Sequence, residues 1–502
     1  LKRLKPVVLQ AELLAAHYDA VVANPPYMGR KYQPQQLKQF ARENFPDARS
    51  DVFACFLERG YSYVKVAGYN AMITMQSWMF LSSFESFRNR LLQKKTIRTM
   101  AHLGARAFSS LSGEVVQTAS FVFQNGALPS YKPTYFRLVA GDEFEKRRRL
   151  EERKNRFDQI AQKDLRRIPG SPIAYWVTRA IWRCFSDGKP LSSVVHLSEG
   201  LTTGDNDLFL RHWPEVSQRK IEFRSEPGSD FVGPWAPHNK GGSFRRWYGN
   251  HEFVVRWGEG GRVLRESGNS VLRNSDAYFH PNLSWSRVST GLFALRSNPV
   301  GMLYDSTSPM IRCSQETRAP TLALLNSFVA THLLSAMSPT LDYRITSLGR
   351  LPVFTERLSG ADREVETLVS GFRRDWDAFE RSWDFLSLPL LTTSSDATPT
   401  LESSYTVWIN QNRETIAEMK RLEEENNRRF IDAYGLQDEL TPEVPFEQVT
   451  LTVNPAYRYG GKLSEEEHWT RFRQDTLQEL VSYAIGCMMG RYSLDEPGLI
   501  YA

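Results

Sequence analysis

Asn24, Pro25, Pro26 and Tyr27 follow directly on Ala20-Val21-Val22-Ala23, and this short stretch carries residue types and spacing that could do chemistry. Residues 20–23 are small or β-branched and read as a buried strand. Two prolines fix φ and forbid its continuation, so the turn is stiff and sits at a strand end. It offers two acceptors, the Asn24 side-chain oxygen and the Pro25 carbonyl. An amino group conjugated with an aromatic ring is a poor nucleophile. With both N–H bonds aimed at those acceptors, its nitrogen is drawn toward sp3 geometry and its lone pair is freed for attack. Tyr27 adds a flat ring for stacking. The turn contains no His, Asp or Glu, so it suits preorganised electrostatics and proximity rather than general-base catalysis. Methylation of an exocyclic amine fits that description. An Asn-Pro-Pro segment is also an ordinary turn; the strand before it favours a site.

Positioning such a turn takes a sheet with helices packed on it. Residues 4–17 read as a helix feeding the strand. Asp51 is a plausible N-cap for apolar residues at helical spacing from Val52 to Val66. Ala67-Gly68 then leads into a second strand over 69–75. Ser82 and Glu85 fit a capping box before a helix whose one face carries Phe84, Phe87, Leu91 and Leu92. Residues 97–103 and 115–123 read as two strands joined by a loop rather than a helix, hence antiparallel.

In this setting the Asn-Pro-Pro-Tyr turn resembles the catalytic motif of amino-methyltransferases that use S-adenosyl-L-methionine, particularly DNA adenine-N6 enzymes. Related turns occur in RNA-guanine and protein-glutamine methyltransferases, so the motif alone leaves the substrate open. The resemblance implies an α/β fold class, here the second half of a Rossmann-like class I methyltransferase. It implies that Asn24, Pro25, Pro26 and Tyr27 are catalytic. Phe108, in the loop Gly104-Ala105-Arg106-Ala107-Phe108, would pack on a flipped base opposite Tyr27. Pro26 and Phe56 would touch the cofactor, although Phe56 also fits the core of an amphipathic helix. The Gly-rich turn and the ribose-binding acid of such enzymes are expected upstream of Leu1, which precedes Asn24 too closely for the earlier strands to fit between.

At 502 residues the chain is long enough for about three domains. It has no apolar run long enough to span a membrane and no visible signal peptide. Cys55, Cys184, Cys313 and Cys487 are too scattered for a zinc module or a disulfide framework. No metal is expected, and the reducing bacterial cytoplasm is the natural compartment. The formal charge of +6 tilts modestly toward a polyanionic partner. Residues 143–167 hold ten basic against six acidic residues and read as a solvated helix.

From Pro190 to Pro352 the pattern changes to short strand-like pieces separated by Gly, Pro, Asn and Ser. Residues 200–210 form a glycine-bounded polar loop, 237–250 interleave cations, amides and aromatics, and 283–291 repeat that chemistry. Arg and Lys suit phosphates or guanine edges, Asn suits adenine edges, and aromatics support unpaired bases. Thr203, Asp205, Asn206, Asn239, Lys240, Arg245, Arg246, Trp285 and Arg287 are the candidate DNA contacts. With Asn326-Ser327-Phe328 and residues 339–352, these pieces resemble the target-recognition region of large bacterial adenine methyltransferases, and most closely the PglX family of BREX phage-defence systems.

That resemblance spans nearly the whole chain. It implies the C-terminal half of a catalytic domain (1–135), a charged helical connector (136–185), a mixed α+β target-recognition domain (186–360) and a helical C-terminal domain (361–502). Ile416, Met419, Leu422 and Phe430 mark one helical stripe. Ser464 and Glu467 fit a capping box before Trp469, Phe472, Leu480 and Ile485, and residues 386–404 read as a linker. The implied activity is site-specific adenine-N6 methylation that marks host DNA. The implied partners are double-stranded DNA, other BREX defence proteins and phage-encoded DNA-mimic inhibitors, with no membrane. Glu152-Arg153-Lys154 and Glu418-Met419-Lys420 fit the Glu-x-Lys of a nuclease but lack the strand Asp and read as surface charge. A type IIG-like restriction-modification enzyme and a non-catalytic DNA-reading specificity subunit are the competing readings.

Overall fold

A mixed sheet begins with the strand that delivers the Asn-Pro-Pro-Tyr turn. The structure is a computed structural model and describes residues 4–108, 116–228, 231–289, 292–338, 342–357, 360–393 and 400–500. Two compact units divide the chain, Leu1–Asp187 with Ser335–Pro339 and Gly188–Leu334 with Thr340–Ala502.

In the first unit, α1 (Leu4–Ala15) precedes β1 (Tyr18–Ala23), and α2 (Gln35–Asn44) and α3 (Val52–Tyr63) lead to β2 (Val64–Met75). Then come α4 (Glu85–Lys94), β3 (Thr96–Gly104), β4 (Thr118–Gln124), β5 (Thr134–Arg137), α5 (Glu143–Glu151), β6 (Arg156–Phe157) and α6 (Arg179–Asp187). The sheet order is β1-β2-β4-β3-β5-β6. β1 and β2 are parallel, with Ala23 opposite Met72, and β4 runs antiparallel to both β2 and β3. β1, β2 and β3 therefore share one direction, and their C-terminal ends lie on one edge of the sheet. The antiparallel pairing expected for 97–103 and 115–123 is present over the described residues. The core beneath is built from Phe53, Trp78, Phe87, Ile97, Met100, Phe121 and Phe123; Trp78 meets Phe121 edge-on at 5.3 Å.

Two expectations change here. β1 is not buried: it is an edge strand paired with β2, and Val22 is 78% exposed. Alternation explains this, since Val21 and Ala23 point to the half-covered face while Ala20 and Val22 point to the other. The Ser82–Glu85 capping box does not form. Ser82–Phe84 is a single 3-10 turn, and α4 starts at Glu85 without a side-chain cap.

The second unit carries β7 (Lys189–Pro190), β8 (His196–Ser198), α7 (Asn206–Phe209), β9 (Leu210–His212), β10 (Trp235–Asn239), β11 (Phe253–Arg256) and α8 (Gly258–Glu266). It continues through β12 (Leu283–Trp285), β13 (Leu295–Ser297), β14 (Leu303–Tyr304), β15 (Met310–Arg312), α9 (Gln315–Leu325), α10 (Phe328–Met337) and α11 (Ile345–Leu348). β16 (Pro352–Val353), α12 (Asp362–Asp377), α13 (Pro389–Thr392), α14 (Leu401–Tyr434), α15 (Pro455–Tyr459) and α16 (Glu465–Met488) complete it. The short strands form two four-stranded sheets, β14-β10-β11-β9 and β13-β12-β15-β8. Long helices pack with these sheets rather than apart from them. Glu423 on α14 takes Arg246 Nη1 at 2.9 Å and Trp247 Nε1 at 2.7 Å, and Asp375 on α12 faces Arg245 at 3.5 Å. Ile416, Met419, Leu422 and Phe430 are buried along α14, and the Ser464–Glu467 capping box is formed at α16. Among the described residues no single helix is long and apolar enough to cross a membrane.

Candidate active site

The turn after β1 is held from three sides. Tyr27 lies edge-on to Phe53 with ring centroids 6.2 Å apart. Its hydroxyl reaches Asn24 Oδ1 at 3.3 Å and the Ile73 carbonyl, on neighbouring β2, at 3.4 Å. Burial pushes the Tyr27 phenol up, so at neutral pH it is a donor. Pro25 is buried, whereas Asn24 and Pro26 are exposed. The Asn24 oxygen has two lone pairs, so one stays open to solvent when Tyr27 takes the other.

Just past Tyr27 the chain is pinned to the start of α3. Asp51 Oδ1 accepts from Met28 N at 2.9 Å and from Phe53 N at 3.3 Å, serving at once as N-cap and as anchor of the turn. Val52 N donates to Met28 O at 3.2 Å, and Arg30 N to Ser50 O at 3.1 Å. Burial pushes the Asp51 carboxyl up, opposed by backbone N–H groups of Met28, Phe53 and Val52.

Phe108 is half-buried in the loop after β3, and Arg106 in that loop has φ of 56°. β3 ends on the same sheet edge as β1, three strand spacings away, or about 14 Å along the sheet. Among the described residues no ring contact joins Phe108 to Tyr27. Phe56 is 47% exposed on α3 and does not belong to the core that takes Phe53, Ala54 and Leu57.

Sequence reasoning passed over a polar brace behind this edge. His102, on β3, has Nε2 2.6 Å from Gln76 Oε1 and Nδ1 3.3 Å from Tyr175 Oη. Gln76 in turn donates to the Gln117 side chain. Burial, with Arg137 and Lys146 nearby, pulls the imidazole down to about 3, so it is neutral and donates from Nε2. Each is a single polar residue beside apolar runs, with nothing local to single it out.

The expected DNA contacts separate into two groups. Thr203, Asn206 and Lys240 come together: Thr203 Oγ1 donates to Asn206 Oδ1 at 2.7 Å, and Lys240 Nζ reaches that oxygen at 3.3 Å and Asp305 Oδ2 at 2.8 Å. Thr203 is buried and Asp205 caps α7, while Asp205 and Asn206 are exposed. Arg287 is half-exposed and held by Asp342 at 2.9 Å.

Asn239, Arg245, Arg246 and Trp285 are interior, which corrects their assignment to a DNA-facing surface. Asn239 spends both donors on Ser284 and Asn298 and its oxygen on Gly241 N and Ser308, so its amide has no position left for a base. Arg245 and Arg246 are 1% exposed against Asp375 and Glu423, and Trp285 donates to Tyr343 O at 2.7 Å. Thr203 is likewise too enclosed to meet a duplex directly.

A parallel strand ending in Asn-Pro-Pro-Tyr, followed by crossover helices and an antiparallel strand, defines the class. Residues 8–108 match the family described as Eco57I restriction-modification methylase. The particular relatives are narrower. The chain is 39% identical over 501 residues to the adenine-specific methyltransferase BrxX of Escherichia coli O9:H4 (strain HS), covering 99% of this chain and 40% of that protein. It is 36% identical over 517 residues to the adenine-specific methyltransferase PglX of Lacticaseibacillus casei (strain Zhang), covering 99% and 42% respectively. The resemblance to PglX drawn from the motif and recognition region is thus matched by curated relatives, of whose length the chain spans about two fifths. Among solved structures, the type IIL restriction-modification enzyme MmeI in complex with DNA matches with a TM-score of 0.51 at 11% identity, over 84% of this chain and 55% of that one. That similarity is one of fold.

Proposed function

We propose that this chain is part of a site-specific DNA adenine-N6 methyltransferase of the PglX type, which marks host DNA in BREX-type phage defence. The observation that carries the reading is the pinned turn, with Asn24 exposed beside the half-buried Tyr27 at the end of a parallel strand. The names of the two curated relatives support the same chemistry. In finer terms the first unit corresponds to the second half of a class I methyltransferase sheet.

A duplex held by its phosphates releases the target adenine from the stack, at a cost of a few kcal/mol. Tyr27 takes one face of the base and Phe108, from the same sheet edge, the other. Asn24 Oδ1 and the Pro25 carbonyl accept the two N6 hydrogens and free the lone pair. Neither acceptor is basic enough to remove a proton before attack, so the proton leaves to water from the methylated, acidic ammonium. S-adenosyl-L-methionine, when bound, supplies an electrophilic methyl group; the exposed Pro26 and the outward Phe56 ring offer apolar surface that fits its contact. Lys240, Asn206, Asp205 and Arg287 are the remaining candidates for touching DNA.

Long-read sequencing of DNA from bacteria expressing the protein with its BREX partners tests the reading. N6-methyladenine should recur at one sequence motif and vanish with Asn24→Ala. Unmodified adenine throughout, with the wild-type protein present, would refute it.

A further inference from the structure

The second unit holds a cavity of about 580 Å³ that no role assigned above uses. Arg245, Arg381 and Arg458 line it, and Phe244, Phe379 and Tyr457 supply aromatic wall. Its volume falls in the range of small-molecule sites, roughly 300–1,000 Å³.

The guanidinium groups are under-compensated. Asp375 faces Arg245 at 3.5 Å, but its oxygens already accept from Thr452 N at 2.7 Å and Val453 N at 2.9 Å. Arg381 has no ion pair among the described residues; it stacks 4.1 Å from the Trp376 ring and donates to Thr452 Oγ1. Arg245 donates to that same hydroxyl at 3.2 Å. Behind them Arg296 is fully buried and makes only 3.4 Å hydrogen bonds, to Arg245 O and Ser286. Burial, with the charge of Arg245 nearby, pulls Arg381 and Arg296 each down to about 10. Among the described residues Arg245 Nε, Arg381 Nε and Arg458 Nη1 donate to no protein acceptor. Arg245 is 1% exposed, so its free donor is a buried polar group beside the cavity.

Two acidic residues also stand on the wall. Glu479 is engaged by Arg458 at 2.8 Å, while Glu380, its carboxyl pushed up by burial, lies near Arg491 and has Oε1 without a donor among the described residues. Of the three guanidiniums of Arg245, Arg296 and Arg381, that of Arg245 alone has a carboxylate within ion-pair distance among the described residues, Asp375, while Asp375 and Glu252 act on Arg381 from farther off.

We propose that this cavity binds a small organic anion, a flat apolar body carrying one phosphate or carboxylate, with the head on Arg245 and Arg381 and the body against Phe244, Phe379 and Tyr457. Planar guanidinium forks match such heads in geometry and charge. The walls supply stacking surface for the body.

Isothermal titration of the chain at constant ionic strength with phenyl phosphate, benzoate, inorganic phosphate and phenol tests this. Phenyl phosphate or benzoate should saturate one site, at least about tenfold tighter than inorganic phosphate or phenol; which of the two binds tighter identifies the head group. Arg381→Met should weaken binding about tenfold or more through loss of a charge-assisted contact. Leu388→Trp, which fills the cavity without removing a charge, should abolish it, and serves if Arg381→Met melts early. The proposal is overturned if neither ring-bearing anion saturates, if phenol binds as tightly, or if a stably folded Leu388→Trp protein binds like wild type.

Discussion

Replacing Asp51 by Ala removes one oxygen that holds two backbone amides, those of Met28 and Phe53. Loss of the N-cap costs about 1 kcal/mol, and loss of the bond to Met28 N, on an acceptor buried beside it, adds roughly 1–3 kcal/mol. At about 2–4 °C per kcal/mol for a unit of this size, the first unit should melt roughly 5–15 °C lower. The turn should loosen as well, and a displacement of about 1 Å at a reacting group costs on the order of 100-fold in rate. Asp51→Asn keeps an oxygen acceptor and should stay within about 1 kcal/mol of wild type. Hydrogen exchange at the Met28 and Phe53 amides reads this locally, and thermal melting reads it globally. Fast exchange in Asp51→Ala with near-normal protection in Asp51→Asn is the expected pattern. Equal protection in wild type and Asp51→Ala, or equal damage in both variants, would refute the anchoring role.

Arg246→Ala should act on stability before it acts on DNA: breaking a buried ion pair costs about 3–5 kcal/mol, to be seen as a lower denaturation midpoint, with Glu423 left stranded. Lys240→Ala, which takes one cationic partner from the buried Asp305, should cost some stability and, in the folded protein, reduce the salt slope of DNA binding by about 1, measured by binding titrations across salt concentrations. Acidification should weaken the first unit between pH 6.5 and about 3. The His102 imidazole is neutral when folded, with its value pulled down to about 3, but protonates near 6.5 when unfolded. Its contribution is therefore present above pH 6.5 and lost as pH falls, on the order of 2 kcal/mol by pH 5. His102→Gln should flatten the pH dependence of melting over that window, and a slope unchanged by the substitution would count against it.

The parts of the fold that were legible in sequence carry their signals locally. Asp51 ahead of an apolar-periodic run, Ser464 three residues before Glu467, and prolines stopping β1 each act within a turn of chain, and each is found where the pattern puts it. What failed depends on distant partners. Residues 244–248 look like a nucleic-acid surface until Glu423, 177 residues beyond Arg246, and Asp375 supply buried counter-charges. Asn239 looks like a base reader until Ser284, Asn298 and Ser308 fold around it. His102 was invisible for the same reason: its partners Gln76 and Tyr175 come from elsewhere in the chain.

The most direct measurement is the fate of a labelled methyl group. Incubated with labelled S-adenosyl-L-methionine and duplex DNA bearing its target, the protein carrying this chain should place the label on adenine N6, read by nucleoside mass spectrometry. Asn24→Ala should abolish transfer while leaving DNA binding nearly intact. Label on cytosine, RNA or protein, or undiminished transfer by Asn24→Ala, would contradict the account.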